Sequence, residues 1–397
     1  VKILLVSSKY LPEYSGSGFR AHNLYRRLSE KFPEIEVSVL CGSETENTCA
    51  DYEYEGFKVS RIAGKVESKS LHGGIRNALN FRSESSKTRD FLRQLSSPPD
   101  LIHVFGKNYV TATVTAYARM KNIPCMVELV NEMDNPFQYV PFPYRLWFDS
   151  RPPENCRYIC ISERLEKVCL QHGIQSDCIW TRPNPVNETI FKPVDSERKY
   201  DLRQRLCGFS KEDKLLVYVA KYIPRKNHRF LLDVLEKLPP EYKLFLGGPM
   251  VESGSLMERD QKIFDDIVSG VKDKKLDGRV EIKHGFIENI QEYYQMADVY
   301  MFPTLKEGLG TPMLECIACG VPVAANIIPG ITDSWVRDGE NGYLSELDAE
   351  NFASVTEKAA GISREKLTSA ADEIMKVAGT EVIDQKYFDI MKEITGK

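Results

Sequence analysis

Glu307 and Glu315 flank a loop that holds two glycines and runs into Thr-Pro, in the order Glu307-Gly-Leu-Gly-Thr-Pro-Met-Leu-Glu315. Phe302-Pro303 closes an apolar run before it, and Gly320 with Val321-Pro-Val323 marks a helix end and the next strand. Thr311 as N-cap and Pro312 at the first helical position are the expected way to begin a helix there. Such a helix start leaves backbone N–H groups open to an anion, and Gly308 and Gly310 allow close approach, so phosphate is the natural occupant. Two carboxylates beside a phosphate repel it unless they point at neutral hydroxyls of the same ligand. An acidic residue reads ribose in this way in dinucleotide-binding folds. The segment thus describes phosphate with a sugar on either side, which is a nucleotide sugar.

A second cluster stands where another apolar run, Leu215–Ala220, ends: Lys221-Tyr-Ile-Pro-Arg225-Lys226-Asn227. Lys221, Arg225 and Lys226 supply cations for a diphosphate leaving group, and Asn227 reads as the N-cap of a helix running through Leu238. Alone, such a loop is a solvated turn; paired with the Glu307 segment it becomes specific. Near the start of the chain, Ser15-Gly-Ser-Gly18 leads from the first apolar run into a helix carrying His22. It lacks the full G-x-G-x-x-G fingerprint and an acidic ribose partner, which leaves it a weak phosphate or acceptor contact and argues against a dehydrogenase.

Short apolar runs alternating with amphipathic segments must position these loops, a pattern that predicts parallel α/β sheets covered on both faces. Val1–Ser7, Glu36–Cys41, Leu101–Phe105, Cys125–Leu129 and Tyr158–Ile161 read as strands of a first half, with helices over Arg20–Phe32 and Tyr109–Lys121. Leu215–Ala220, Lys243–Leu246, Val280–Lys283, Val299–Phe302 and Val321–Ala325 read as five more in a second half. Prolines and polar spacers between Arg182 and Pro193 mark the linker, and the tail from Ala349 onward is helical. With 397 residues the chain exceeds one core. The expectation is two doubly wound Rossmann-like domains facing a central cleft, with ligands at the carboxyl ends of the strands.

A net charge of -4 argues against wholesale nucleic-acid binding, which draws on a basic excess. No apolar run reaches the length of a membrane span, and Val1–Val6 reads as a core strand, not a signal peptide. Ten cysteines, several in predicted strands, fit reduced thiols and a cytoplasmic setting. Cys316-Ile-Ala-Cys319 lacks a second pair at ligand spacing and reads as core, so no metal is expected.

Taken together, these residues resemble glycosyltransferase family 4, the retaining enzymes of GT-B fold. Glu307 to Glu315 resembles the family's E-x7-E motif, and Ala318-Cys-Gly-Val-Pro-Val323 its continuation. Ala220-Lys-Tyr-Ile-Pro-Arg-Lys226 is similar to G-R-L-x-x-x-K, Asn184-Pro-Val-Asn187 with Phe191 to N-G-V-D…F, Tyr294-Gln-Met-Ala-Asp298 to Y-x-x-A-D, and Ser17-Gly18 with His22 to G-G-x-x-x-H. The resemblance implies metal-independent, retaining hexosyl transfer from a nucleoside-diphosphate sugar, UDP-sugar first and GDP-mannose next, with no cofactor. It implies Lys226, helped by Lys221, on the leaving diphosphate and Glu307 on the donor-sugar hydroxyls. Glu315 falls on ribose, the backbone of Gly308, Leu309, Gly310 and Thr311 on phosphate or sugar, and Phe286 beside the base, while Ser17 and Gly18 join the donor contacts. The final helix crosses back, which makes 1–187 with about 381–397 the acceptor-side domain and 188–380 the donor domain.

Departures accompany the resemblance. Lys221 stands where arginine is usual and loses the bidentate fork, and Ser17 replaces a glycine. Val127-Glu-Leu-Val-Asn131 occupies the place of a strand ending in histidine, which leaves Asn131 and Glu132, with His22, as acceptor-side candidates. A nucleotide-sugar epimerase or hydrolase, or a non-catalytic sensor, is the alternative. The acceptor is a saccharide or lipid-linked hydroxyl. Lys65 to Arg93 carries seven Lys/Arg against three Asp/Glu, and Phe137 to Phe148 is rich in aromatics. Two readings stay open for them: a solvated face over packed side chains, and peripheral contact with an anionic membrane.

Overall fold

The computed structural model describes residues 1–65, 72–130, 136–250 and 257–397. The chain forms two compact units, one of Val1–Arg182 with Ile383–Lys397, the other of Pro183–Val382. The first crossing thus falls at Arg182, not after Asn187. Val186 is the reason: it pairs with Gly379 in a parallel bridge inside the second unit, and Glu188 accepts from the backbone N–H and hydroxyl of Thr380.

In the first unit, β1 (Lys2–Ser7), β2 (Glu36–Cys41), β3 (Ala50–Tyr54), β4 (Phe57–Arg61), β5 (Leu101–Phe105), β6 (Cys125–Leu129), β7 (Cys156–Cys160) and β8 (Ile179–Thr181) form one sheet in the order β3-β4-β2-β1-β5-β6-β7-β8. All pairs are parallel except β3–β4. The central strands are mostly apolar because both faces are covered, and β5 and β6 are buried throughout, with His103 and Glu128 as their polar members. In the second unit, β9 (Lys214–Val219), β10 (Tyr242–Gly248), β11 (Val280–His284), β12 (Val299–Phe302), β13 (Val323–Asn326) and β14 (Gly342–Ser345) form an all-parallel sheet ordered β11-β10-β9-β12-β13-β14.

Sequence reading missed β3, β4, β8 and β14. The first two make an antiparallel hairpin in which β3 alternates partly buried with exposed residues and β4 buries only Phe57 and Val59. Its two-residue turn, Glu55-Gly56, has both φ values positive (43° and 84°), the tight connection that matches strand twist. An Asn-Gly or Asp-Gly pair would have announced it; Glu-Gly does not.

The last helix, Thr380–Thr395, belongs to the first unit from Ile383 onward. Phe388 stacks on Phe32 at 3.9 Å, and Asp384 takes a two-pronged pair from Arg27 at 2.7 and 2.8 Å. Tyr387 enters a sealed polar network around Glu128, the one charged residue of β6. Glu128 accepts from Tyr387, from His103 at 3.2 Å and from Arg182 at 3.1 Å, and Tyr25 donates to the other nitrogen of His103 at 2.7 Å. Burial pushes the Glu128 carboxyl up, but Arg182, His103 and Tyr387 outweigh it and hold the group below its ordinary value. Burial keeps His103 neutral, with the proton on the nitrogen that faces Glu128.

Candidate functional site

In the second sheet β9 and β12 are neighbours, and the order runs outward from them in both directions. Their carboxyl ends form the switch point at which open α/β sheets leave a crevice for ligands. The loop after β9 carries the basic cluster and the loop after β12 carries Glu307, so sequence places both there for a topological reason.

The two loops are laced together. Arg225 O accepts from Leu305 N at 2.8 Å and from Thr304 Oγ1 at 3.0 Å, and Asn227 Nδ2 donates to Pro303 O at 3.3 Å. Beneath them Tyr218 donates its hydroxyl to Lys226 O at 2.8 Å. The backbone around Lys226 is therefore fixed from two sides. Its ammonium donates directly to Glu307 Oε2, with Arg225 Nη1 at 3.5 Å from the same oxygen. The Lys226 and Glu307 side chains remain 12% and 17% exposed, so the pair is desolvated yet open on one side. Burial draws the Lys226 ammonium below its ordinary value, with Glu307 pulling the other way.

Asn227 is not the helix N-cap expected. It closes a 3-10 turn, Pro224–Lys226, in the left-handed conformation with φ of 54°, and the helix begins only at Phe230. Asn is one of the few side chains that tolerates that conformation. The turn bends Lys226 back toward Glu307.

Thr311 is likewise one residue past the cap. The helix runs Thr311–Ala318, its N-cap is Gly310, and no side chain caps it. Gly310 has φ of +81°, and an added Cβ would lie 3.0 Å from the Phe302 ring, so both conformation and space call for glycine. Thr311 Oγ1 instead accepts from Asn184 at 2.8 Å. An uncapped helix start leaves first-turn N–H groups for a ligand. Leu309 is buried, which leaves only its backbone to offer.

Glu315, one turn into this helix, has its carboxyl pushed up to about 7 by burial, against the Tyr294 hydroxyl beside it. Lys221 is exposed and Phe286 is 81% exposed. The structure thus brings Arg225, Lys226 and Glu307 into one cluster, sets Gly310 and Thr311 at the adjoining helix start, and leaves Lys221 and Phe286 free of it.

In the first unit, Ser15 caps the helix Gly16–Lys31 through Gly18 N at 2.9 Å. Ser17 Oγ lies 3.4 Å from Ser8 Oγ, at the carboxyl end of β1. A Cβ on Gly18 would stand 2.4 Å from Lys9 O, so Gly18 serves close packing of helix on loop. His22 is buried with both ring nitrogens engaged, by Tyr10 and by Glu55 of the hairpin at 2.9 Å each. It packs among Tyr54 and Phe57, which is a core position. Asn131 and Glu132 lie outside the described residues. Among the described residues no group of three or more His, Cys, Asp or Glu side chains forms a metal-binding set.

Residues 204–371 match the family of glycosyl transferases group 1. The chain is 31% identical over 173 residues to a putative glycosyltransferase, EpsD, of Bacillus subtilis, covering 42% of each protein. The stretch from 204 to 371 is thus similar to group 1 glycosyl transferases. A further relative, the UDP-Gal:alpha-D-GlcNAc-diphosphoundecaprenol alpha-1,3-galactosyltransferase of Escherichia coli, is 24% identical over 261 residues, 64% of each protein. The first of these matches spans about two fifths of the relative's length. Among solved structures, Anabaena Alr3699/HepE in complex with UDP aligns over 99% of this chain and all of its own, with a TM-score of 0.73 at 16% identity. The fold is GT-B, two Rossmann-like α/β domains. The group 1 match covers every element of the Lys226–Glu307 cluster, from the loop after β9 to the helix bearing Glu315.

Two features escaped sequence reading. Glu128 carried a visible signal, a lone charge inside the apolar run Cys125–Leu129. Glu84 carried a fainter one. It lies on the stripe Phe81, Ser85, Thr88 and Leu92 that faces inward on the helix Gly73–Gln94.

Proposed function

We propose that the protein transfers a hexose from a nucleoside-diphosphate sugar, UDP-sugar in preference to GDP-mannose, to a saccharide or lipid-linked hydroxyl, with retention at the anomeric carbon and without a metal. The carrying observation is the Lys226–Glu307 pair, desolvated but open on one side, at the switch point beside the uncapped helix start. Breaking the bond between the anomeric carbon and the diphosphate leaves the electron pair and its charge on the leaving group. Lys226, Arg225 and Lys221 supply the cations that stabilise it, and the first-turn N–H groups from Gly310 and Thr311 add their dipoles. As the diphosphate takes over Lys226, Glu307 is released to accept hydroxyls of the donor sugar. Glu315 accepts from ribose, and Phe286 lies beside the base.

UDP is favoured by the family resemblance and by the UDP bound in the Anabaena relative. A lipid-linked acceptor fits the exposed side chains of Tyr139, Phe142, Leu146 and Trp147 around Arg145, a composition suited to peripheral work at an anionic membrane. Incubation with labelled UDP-, GDP- and ADP-sugars and mixed acceptor pools tests the reading. Donor-dependent labelling of an acceptor is the expected result. Free sugar or an epimerised donor, without a labelled acceptor, would move the assignment to a hydrolase or epimerase, and binding without turnover to a sensor.

A further inference from the structure

Cys160 ends β7, Cys169 lies on the helix Glu163–Gln171 that follows it, and their sulfur atoms are 3.7 Å apart. Both are fully buried. The approach has a local cause. Ile161 and Ser162 turn the chain from strand to helix, and the helix lays the stripe Leu165, Val168 and Cys169 back over β7 and β8. The hydrogen bond from Cys160 holds the Cys169 thiol below its ordinary value, against burial, and Cys160 is raised in turn. A sulfur inclined to ionise beside a second thiol is the arrangement of a redox pair. Access comes from the helix itself. Of its nine residues Leu165 and Cys169 are buried, and its N-cap Ser162 makes no side-chain bond. Thr181 Oγ1 ties it to β8 through Glu166 at 2.6 Å. A segment held by so little opens locally at a small fraction of the global unfolding free energy.

We infer that Cys160 and Cys169 form a reversible disulfide under hydrogen peroxide, and that the bond pins this helix to β7. In the opened helix the Cys169 thiolate attacks one peroxide oxygen. The O–O bond breaks, hydroxide leaves and takes up the proton that Cys169 released, and Cys169 becomes a sulfenic acid. On reclosure the Cys160 sulfur attacks the Cys169 sulfur. The S–S bond forms as the S–O bond breaks, and the departing hydroxide carries off the Cys160 proton as a second water. The two thiols are oxidised and the peroxide is reduced. Cys125 and Cys156 also stand opposite one another, on the paired strands β6 and β7, but the sheet on either side leaves no segment free to open. The new bond closes a short loop and removes openings that the reduced chain makes. Cys160 O accepts from Arg182 N at 2.9 Å, so the lock reaches the residue at which the chain leaves the first unit. The pair is independent of the donor reading.

Treatment of the full chain with hydrogen peroxide, blocking of the remaining thiols in denaturant and tryptic mapping by mass spectrometry test it. Cys178→Ser serves as the background, because no Lys or Arg separates Cys178 from Cys169. The expected product joins Cys160 to Cys169 and reverts with dithiothreitol. Amide hydrogen exchange across residues 163–171 then slows about tenfold or more against the reduced chain, within what a short disulfide loop contributes, and the melting temperature rises. Cys169→Ser, treated alike, shows neither change. Thiols that stay free or are oxidised singly, or a bond between other cysteines in their place, overturn the inference. A Cys160–Cys169 bond that leaves exchange of this helix unchanged overturns it as well, because nothing is then pinned.

Discussion

Two carboxylate–cation pairs sit at the carboxyl ends of the two sheets' strands, and they are built to opposite ends. Around Glu128 every position is filled: Arg182, His103 and Tyr387 all bond its carboxylate, and its side chain is 0% exposed. Around Glu307 the shell is incomplete. Lys226 and a 3.5 Å approach from Arg225 meet one oxygen, Gly308 N donates to the other at 3.3 Å, and the two side chains stay 12% and 17% exposed, so the pair is open on one side. A filled buried network serves the fold, because nothing further can bind to it. An unfilled desolvated pair serves a ligand, because its charges are held in place without being satisfied. The second unit's pair is therefore the one proposed as the site, although the first unit's is the more deeply buried.

The comparison breaks if substitution in the filled network leaves stability intact. Glu128→Ala strands Arg182 without its counter-charge, and an expected loss of about 3–5 kcal/mol is read from urea unfolding followed by circular dichroism. UDP binding of the folded fraction is expected to be unaffected. A loss below 1 kcal/mol, about the worth of an exposed pair, would remove the distinction between the two regions.

Acid sharpens it. His228, packed against Tyr218 and Tyr222 behind Lys226, is lowered by burial to about 3 from 6.5. Its folded value is depressed, so the unfolded chain takes up the proton first. The contribution is present above pH 6.5 and is lost toward pH 3 at about 1.4 kcal/mol per unit. Thermal melts between pH 4 and 7 are expected to show this slope, and His228→Phe to flatten it. His103, also lowered, adds to the same acid limb from the first unit, together with the lowered carboxylates Glu13, Asp100, Glu188 and Asp298.

A smaller effect concerns Glu315. Ribose hydroxyls favour the ionised carboxylate, and burial has raised that group to about 7, so UDP affinity is expected to rise a few-fold from pH 6.5 to 8. Calorimetry at both pH values checks this, with Glu315→Gln as the control in which the rise is reduced. An identical pH dependence in the variant would take ribose away from Glu315.

Much of this was legible in the sequence, for identifiable reasons. Parallel strands covered on both faces leave mostly apolar runs, and all ten segments read as strands, including the alternating edge strand β11, are strands in the structure. Local chemistry also placed Lys226 and Glu307 at strand ends, although a separation of 81 positions hid their contact. What was misread turned on residues with two uses: Asn227 fits an N-cap and a left-handed stop equally well, and Gly310 took the cap position given to Thr311. What was missed depended on distance or on weak pattern. Glu128 finds partners 25, 54 and 259 residues away, and the hairpin β3–β4 is too polar to stand out. His22 was legible as a helix-face residue, but its burial depended on that unseen hairpin.

The most direct measurement is a calorimetric titration of UDP into the wild-type protein and Lys226→Ala, alongside their melting temperatures. A charge-assisted bond to phosphate contributes about 1.5–3 kcal/mol, so UDP affinity is expected to fall roughly 10- to 150-fold while the fold stays intact. Equal UDP affinity in the two proteins would contradict the assignment of the Lys226–Glu307 pair as the donor site.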